Sequence, residues 1–171
     1  MIIDGDPTFI PNKDEHFMGV AQAVAEGSNH PVVPGGCVIV RGREILGDGR
    51  SVLAHCKVEV DCITYAIAAS SKRGTSLAGA EVYATRYPFS QSIFQLHMMG
   101  INRLVVLAHE WEPYYKDEFR RAARLARELS VSIEPYFEDN DQRFGTGNTP
   151  EEFDSRDLYT SNPVEADDFV V

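Results

Sequence analysis

Three features of this 171-residue chain predict an α/β fold built on a mixed five-stranded sheet. Helical and strand periodicities alternate through the second half, a pattern that calls for parallel strands joined by right-handed helical crossovers. Two short apolar runs near residue 40 are close enough to pair as a hairpin. The third feature is Val82 to Val106, VYATRYPFSQSIFQLHMMGINRLVV, which reads as a strand, a Tyr-Pro turn, an apolar helix stopped at Gly100 and a second strand. A hydrophobic content of 43% over this length is sufficient for one ordinary globular core.

Each element follows from local chemistry. Asn12 suits an N-cap, and Phe17, Val20, Ala21 and Val24 recur at helical spacing until Gly27. Gly36 to Val40 is a short apolar run typical of a buried strand, and Arg41-Gly42-Arg43 turns it into a second strand around Glu44 to Leu46. A helix is expected over Lys57 to Ser71, with Val58, Cys62, Tyr65, Ala66 and Ala69 on one face. A strand at Glu81 to Arg86, a helix at Ser90 to Met99 and a strand at Arg103 to Ala108 follow, with Gly100 as a left-handed cap. The helix from Tyr115 to Leu129 carries Phe119, Ala122, Ala123 and Ala126 on one stripe, and Val131 to Phe137 completes the sheet.

Beyond Asp139 the periodicity fails, and Gly, Pro, Asn and acids dominate. Residues 1–138 are therefore expected to form the domain and 139–171 an acidic C-terminal tail. That tail holds nine acidic against two basic residues, most of the chain's net charge of −10. Such a balance argues against nucleic acid or an anionic membrane as a general partner. The sparse cysteines Cys37, Cys56 and Cys62 show no metal-type Cys-x-x-Cys spacing and fit a reduced compartment. With no signal-like N-terminus and no apolar run near 20 residues, a cytoplasmic location is expected.

The segment Val82 to Val106, with Tyr83-Ala84-Thr85, Pro88 and Gly100-Ile101, resembles the second signature of the cytidine and deoxycytidylate deaminase family. Cys56-Lys57-Val58-Glu59-Val60-Asp61-Cys62-Ile63 is similar to that family's His-Ala-Glu-x-x-Ala helix start. The resemblance spans about Phe17 to Tyr136 and implies a three-layer α-β-α sandwich. It also implies a site in which one His and the two cysteines of Pro-Cys-x-x-Cys hold zinc, whose bound water becomes the attacking hydroxide. A non-ligating Glu then moves protons to the leaving ammonia.

Carried over residue by residue, the resemblance puts Glu59 at the proton-shuttle position. The three ligand positions fall on Lys57, Phe89 and Ser92, none of which is a zinc ligand at neutral pH. The loop Gly47 to Ala54 also lacks the Asn that contacts the sugar in the family. The expectation is a deaminase-fold protein without zinc or another cofactor, and with Glu59 as a vestige of the proton shuttle. It would serve as an inactive scaffold, regulatory or nucleotide-binding subunit. Its partners would be further copies of itself, a catalytic subunit or a nucleotide-like small molecule. The alternative is an active zinc-dependent hydrolytic deaminase of a cytosine nucleoside or nucleotide with an unusual site. In the vacated pocket Lys57 is expected to pair with Glu59 while Phe89 fills the volume, or else both charged residues are solvated at the helix start.

Other candidates have simpler readings. His55, Cys56 and Cys62 lie close to Glu59 in sequence, but six residues separate the cysteines, so on a continuous helix they diverge. Ser92 with His97 or His109 lacks a glycine elbow. Arg120, Arg121, Arg124 and Arg127 are interleaved with Asp117 and Glu128, as on a solvated, salt-bridged helix face. Gly145-x-Gly147 follows no strand-to-helix transition and is a weak phosphate-loop signal.

Overall fold

The computed structural model describes residues 12–31, 34–55, 57–108 and 115–138. Helix α1 (Lys13–Ala25) is capped by Asn12, whose side-chain oxygen accepts from the Asp14 N–H at 3.2 Å. Strands β1 (Gly36–Arg41) and β2 (Glu44–Arg50) form the expected hairpin, turning through Gly42 at φ 64°. Two short strands, β3 (Val52–Leu53) and β4 (Glu59–Val60), make a separate two-stranded ribbon. Then come α2 (Cys62–Lys72), β5 (Glu81–Ala84), α3 (Ser90–Met98), β6 (Arg103–Leu107), α4 (Lys116–Glu128) and β7 (Ser132–Tyr136).

The main sheet has the order β2-β1-β5-β6-β7. β1 is antiparallel to both neighbours, whereas β5, β6 and β7 run parallel. Strand alternation splits the core into two layers. Cys37, Ile39, Val82, Ala84, Leu104 and Val106 face α2, α3 and α4. Val38, Val40, Tyr83 and Val105 face the other way, against Phe17, Met18 and Ala21 of α1. The architecture is the three-layer α-β-α sandwich with a mixed five-stranded sheet. On α4 the buried stripe is Phe119, Ala122, Ala123 and Ala126, as the spacing predicts. The 139–171 segment lies outside the described residues.

The α2 region corrects the sequence reading. The helix starts at Cys62, not Lys57, because Asp61 caps it and Glu59–Val60 pairs with Val52–Leu53 instead of coiling. Its buried stripe is Cys62, Ile63, Ala66, Ile67 and Ser70, while Val58 and Tyr65 are 54% and 40% exposed. Apolar spacing alone does not locate a first turn; a carboxylate that satisfies the first free N–H groups does. β2 also runs four residues past Leu46, to Arg50.

Two glycines set the spacing of helices and sheet. A β-carbon on Gly36 would lie 2.2 Å from the Ala21 carbonyl oxygen of α1. One on Gly49 would lie 2.2 Å from the Cys62 carbonyl oxygen of α2. Both helices therefore rest directly on backbone at these points.

At the N-terminal ends of the parallel strands, charge holds the layers together. Arg103 at the start of β6 donates to Asp14 of α1 at 3.0 Å, to Glu81 of β5 at 2.6 Å and to Glu134 of β7 at 2.7 Å. Lys13 also pairs with Glu81, and the Tyr83 hydroxyl donates to Asp14 at 2.7 Å. The hydrogen bond from Arg103 holds the Asp14 carboxyl below its ordinary value. Desolvation pushes Glu81 up, but hydrogen bonds from Lys13 and Arg103 outweigh it and leave that carboxyl low as well.

Candidate functional site

The opposite ends of these strands form the candidate site. As β5 leaves the sheet, Arg86, Tyr87 and Pro88 lead into α3, bringing its first turn beside that of α2. Asp61 joins the two helices. Its Oδ1 accepts from the Ile63 and Thr64 N–H groups at 2.8 and 2.9 Å, capping α2. Its Oδ2 accepts from the Ser92 hydroxyl of α3 at 2.5 Å and lies 3.0 Å from Thr64 Oγ1. Thr64 Oγ1 also stands 3.0 Å from Gln95 Oε1; with a single proton it donates to one of these acceptors at a time. Ser92 is fully buried, and no buried side-chain polar atom among the described residues lacks a partner.

A second carboxylate closes the neighbouring helix end. Phe89 stands at the N-cap of α3 with no side-chain cap bond. Glu118 of α4 takes that role, accepting from the Ser90 N–H at 2.8 Å and from the Ser90 hydroxyl. The N-terminus of α3 thus faces a resident anion, as the helix dipole favours.

A small cleft opens above this junction, with Ser51, Glu59, Asp61 and Arg86 on its polar side and Tyr87, Phe89, Tyr115 and Phe119 on its aromatic side. Phe89 packs with its ring centroid 5.5 Å from Tyr115 and 6.2 Å from Phe119, within the range of favourable ring contacts. The cavity volume is about 20 Å³, on the scale of a single water molecule and far below a nucleobase.

The residues expected at the site are placed unequally. Phe89 and Ser92 are in it, Phe89 packed among rings and Ser92 bonded to Asp61. Glu59 is on β4 at the rim; its carboxylate lies 3.5 Å from the nearly buried His30 and accepts from the Tyr115 hydroxyl at 3.3 Å. Lys57 is not in the site. It sits exposed at the turn of the β3–β4 hairpin with φ 61°, so the expected pairing of Lys57 with Glu59 inside a vacated pocket is corrected. The side chain that meets Ser92 is Asp61, four residues later.

His55 is exposed in the same turn, and Cys62 is buried in the first turn of α2. There the Cys37 thiol donates to the Cys62 carbonyl at 3.1 Å, and burial followed by the adjacent Cys62 pushes the Cys37 thiol well up. Cys56, His109 and Gly145-x-Gly147 lie outside the described residues. His97 is exposed on the last turn of α3. The arginine face of α4 pairs at i,i+3, Arg120 with Asp117 and Arg121 with Glu118. Sequence reasoning missed Asp61, Thr64, Gln95 and Glu118. Of these only Asp61 carried a local signal, an acid immediately before an apolar helical run.

The donor set does not fit zinc. Zinc sites are built from thiolate, imidazole and carboxylate, whereas this junction offers two hydroxyls, an amide and one carboxylate already surrounded by four donors. Among the described residues no group of three His, Cys, Asp or Glu side chains is arranged to hold a metal. Nor, among them, is any helix long and apolar enough to cross a membrane.

No protein-family model and no curated protein matches the sequence. Solved structures do match. The dCMP deaminase of cyanophage S-TIM5 in its apo form superposes with a TM-score of 0.62 at 16% identity, over 74% of this chain and 99% of that one. Its complex with dCMP and dUMP gives the same score and identity, over 74% and 98%. The diaminohydroxyphosphoribosylaminopyrimidine deaminase/reductase of Thermotoga maritima gives 0.59 at 20% identity, over 71% of this chain and 36% of that one. The element order, the sheet topology and these superpositions together give the chain the cytidine deaminase-like fold.

Proposed function

We propose that this chain is a non-catalytic member of the deaminase fold, acting as a scaffold or regulatory subunit. The observation that carries the reading is the bond from Ser92 to Asp61. In the family the sequence resembles, zinc ties the corresponding helices together. Here a carboxylate and hydroxyls join α2 to α3, and the four donors around the Asp61 carboxylate all come from the protein itself. In this reading the absence of zinc follows from the chemistry of Asp61, Ser92 and Phe89. Glu59 is a rim residue held by His30 and Tyr115, with no proton to shuttle.

The solved neighbour in complex with dCMP and dUMP makes a pyrimidine nucleotide the small molecule to test. A cleft of about 20 Å³ walled by packed aromatic rings favours a protein partner over a nucleotide. Metal analysis of the purified chain, with ammonia release from a panel of cytosine nucleosides and nucleotides, tests the reading. The expected outcome is zinc far below one per chain and no ammonia. Stoichiometric zinc together with ammonia release would establish the active deaminase instead.

A further inference from the structure

With the nine acids and two bases of 139–171 set aside, the net charge of −10 leaves −3 on residues 1–138, and one corner of the fold reverses even that sign. Segments 41–47 (RGREILG) and 70–76 (SSKRGTS) set Arg41, Arg43, Lys72 and Arg73 against the single carboxylate of Glu44. Packing brings the two segments together. Arg73, at the C-terminal end of α2, donates to the Leu46 carbonyl of β2 at 3.1 Å. Arg41, at the end of β1, donates to the Ala78 carbonyl at 3.3 Å. Gly42 and Gly74, at φ 64° and 71°, turn the chain beside these cations. All four are exposed, and none pairs with a carboxylate among the described residues. Arg103, by contrast, meets three carboxylates, and Arg120 and Arg121 of α4 each meet one. The dipole of α2 accounts for Lys72 and Arg73 at its C-terminal end, but Arg41 and Arg43 belong to the β1–β2 hairpin and lie outside that explanation.

We infer that this corner is a docking surface for a partner protein, and that its occupant is a short segment rich in Asp and Glu. Charge complementarity selects the chemistry, and the state of the arginines sharpens it. A guanidinium offers five N–H donors in a fixed fork that matches a carboxylate. The carbonyl contacts of Arg41 and Arg73 hold two such forks in place through one terminal nitrogen each, so less side-chain freedom is lost when a carboxylate arrives. Arg43 and Lys72 add charge that no acid of the chain neutralises. Compactness favours a peptide over nucleic acid. A nucleic-acid strand engages phosphates over many positions, and past these four cations it would run along a surface whose remaining charge is negative. The corner also lies far from the cleft. The register of Val40 with Glu81 puts Arg41 at the N-terminal end of β5, whereas the cleft opens where β5 leaves the sheet at its other end. An acidic segment can therefore dock here without touching Asp61, Ser92 or Phe89.

Fluorescence anisotropy of a labelled octaglutamate peptide, titrated with the full chain at low salt, tests the inference. The wild type is expected to bind with a Kd of roughly 10 to 100 micromolar, and the octaglutamine peptide is expected not to bind. The double variant Arg43→Glu/Lys72→Glu should weaken binding at least roughly tenfold with an unchanged circular dichroism spectrum, since both side chains are exposed and make no ion pair. Arg43→Gln/Lys72→Gln, a milder pair, should shift the Kd in the same direction by less. Lys116→Glu/Arg124→Glu removes as much charge from the exposed side of α4 and should leave the Kd unchanged. A wild type that does not bind overturns the inference, as does binding that survives the charge reversal at 43 and 72 or falls equally with the α4 pair. An octathymidylate strand that binds more tightly than octaglutamate overturns the choice of occupant in favour of nucleic acid. None of these readouts involves zinc or ammonia, so this inference and the proposed function stand or fall separately.

Discussion

At the N-terminal ends of β5 and β6 one guanidinium gathers three carboxylates; where α3 leaves β5, one carboxylate gathers four donors. Both arrangements tie together elements far apart in the chain. The Arg103 cluster does so with five formal charges, Lys13 included, and is only about a third exposed at Arg103. The Asp61 junction does so with one charge, two hydroxyls and backbone N–H groups. The first works by attraction between formal charges and is partly screened by salt; the second works by hydrogen bonds to a single carboxylate and depends little on salt. Opposite ends of one sheet are thus held to their helices by different chemistry.

The sharpest way to break the comparison is Arg103→Leu. It leaves Asp14, Glu81 and Glu134 facing one another and should cost about 3 kcal/mol in urea unfolding. The cluster also makes a prediction in acid. Asp14 and Glu81 have folded values below their ordinary 3.8 and 4.5. Their contribution is complete above those ordinary values and is lost as pH falls through the lowered ones. Urea midpoints should fall below about pH 4, and Arg103→Leu should flatten that fall; a variant with the wild-type pH profile would remove the cluster from the account.

Asp61→Ala is expected to have the next largest effect. It uncaps α2 and strands the buried Ser92 hydroxyl, for about 2 kcal/mol, with little dependence on salt. Ser92→Ala added to it should cost little more, because the two share one interaction. At the small end, Lys57→Met should change stability by less than about 0.5 kcal/mol, and Lys57→Gly should be neutral or slightly stabilising, since only glycine adopts φ 61° freely. A large loss for Lys57→Met would restore that residue to the pocket.

Most of the layer architecture could be read from spacing, because burial imposes period 3.6 or period 2 on apolar residues, as Phe119 to Ala126 and Gly36 to Val40 show. The α2 entry could not. A strand of two residues has no period, and Val58 was apolar at a helical interval while standing in solvent. From sequence, Phe89 and Ser92 could be tied to the start of α3 because Pro88 and the apolar helix anchor them. The surroundings of Lys57 and Glu59 could not be read, since a hairpin of unmarked length intervenes before Asp61 starts the helix. The partners of Asp61 come from α3, and Glu118 reaches α3 from α4. Such contacts are set by packing and leave no mark on local spacing.

The two glycines that let helices rest on backbone bear on how this fold changes over many substitutions. Side chains at 89 and 92 meet other side chains that can be exchanged, so chemistry at the cleft can drift residue by residue. At Gly36 and Gly49 the obstacle is a carbonyl oxygen 2.2 Å away, and no alteration of a neighbouring side chain removes it. When further homologous sequences are compared, these two positions should stay glycine where positions 57, 89 and 92 vary. The lasting record of descent would then lie in the places too narrow for a side chain.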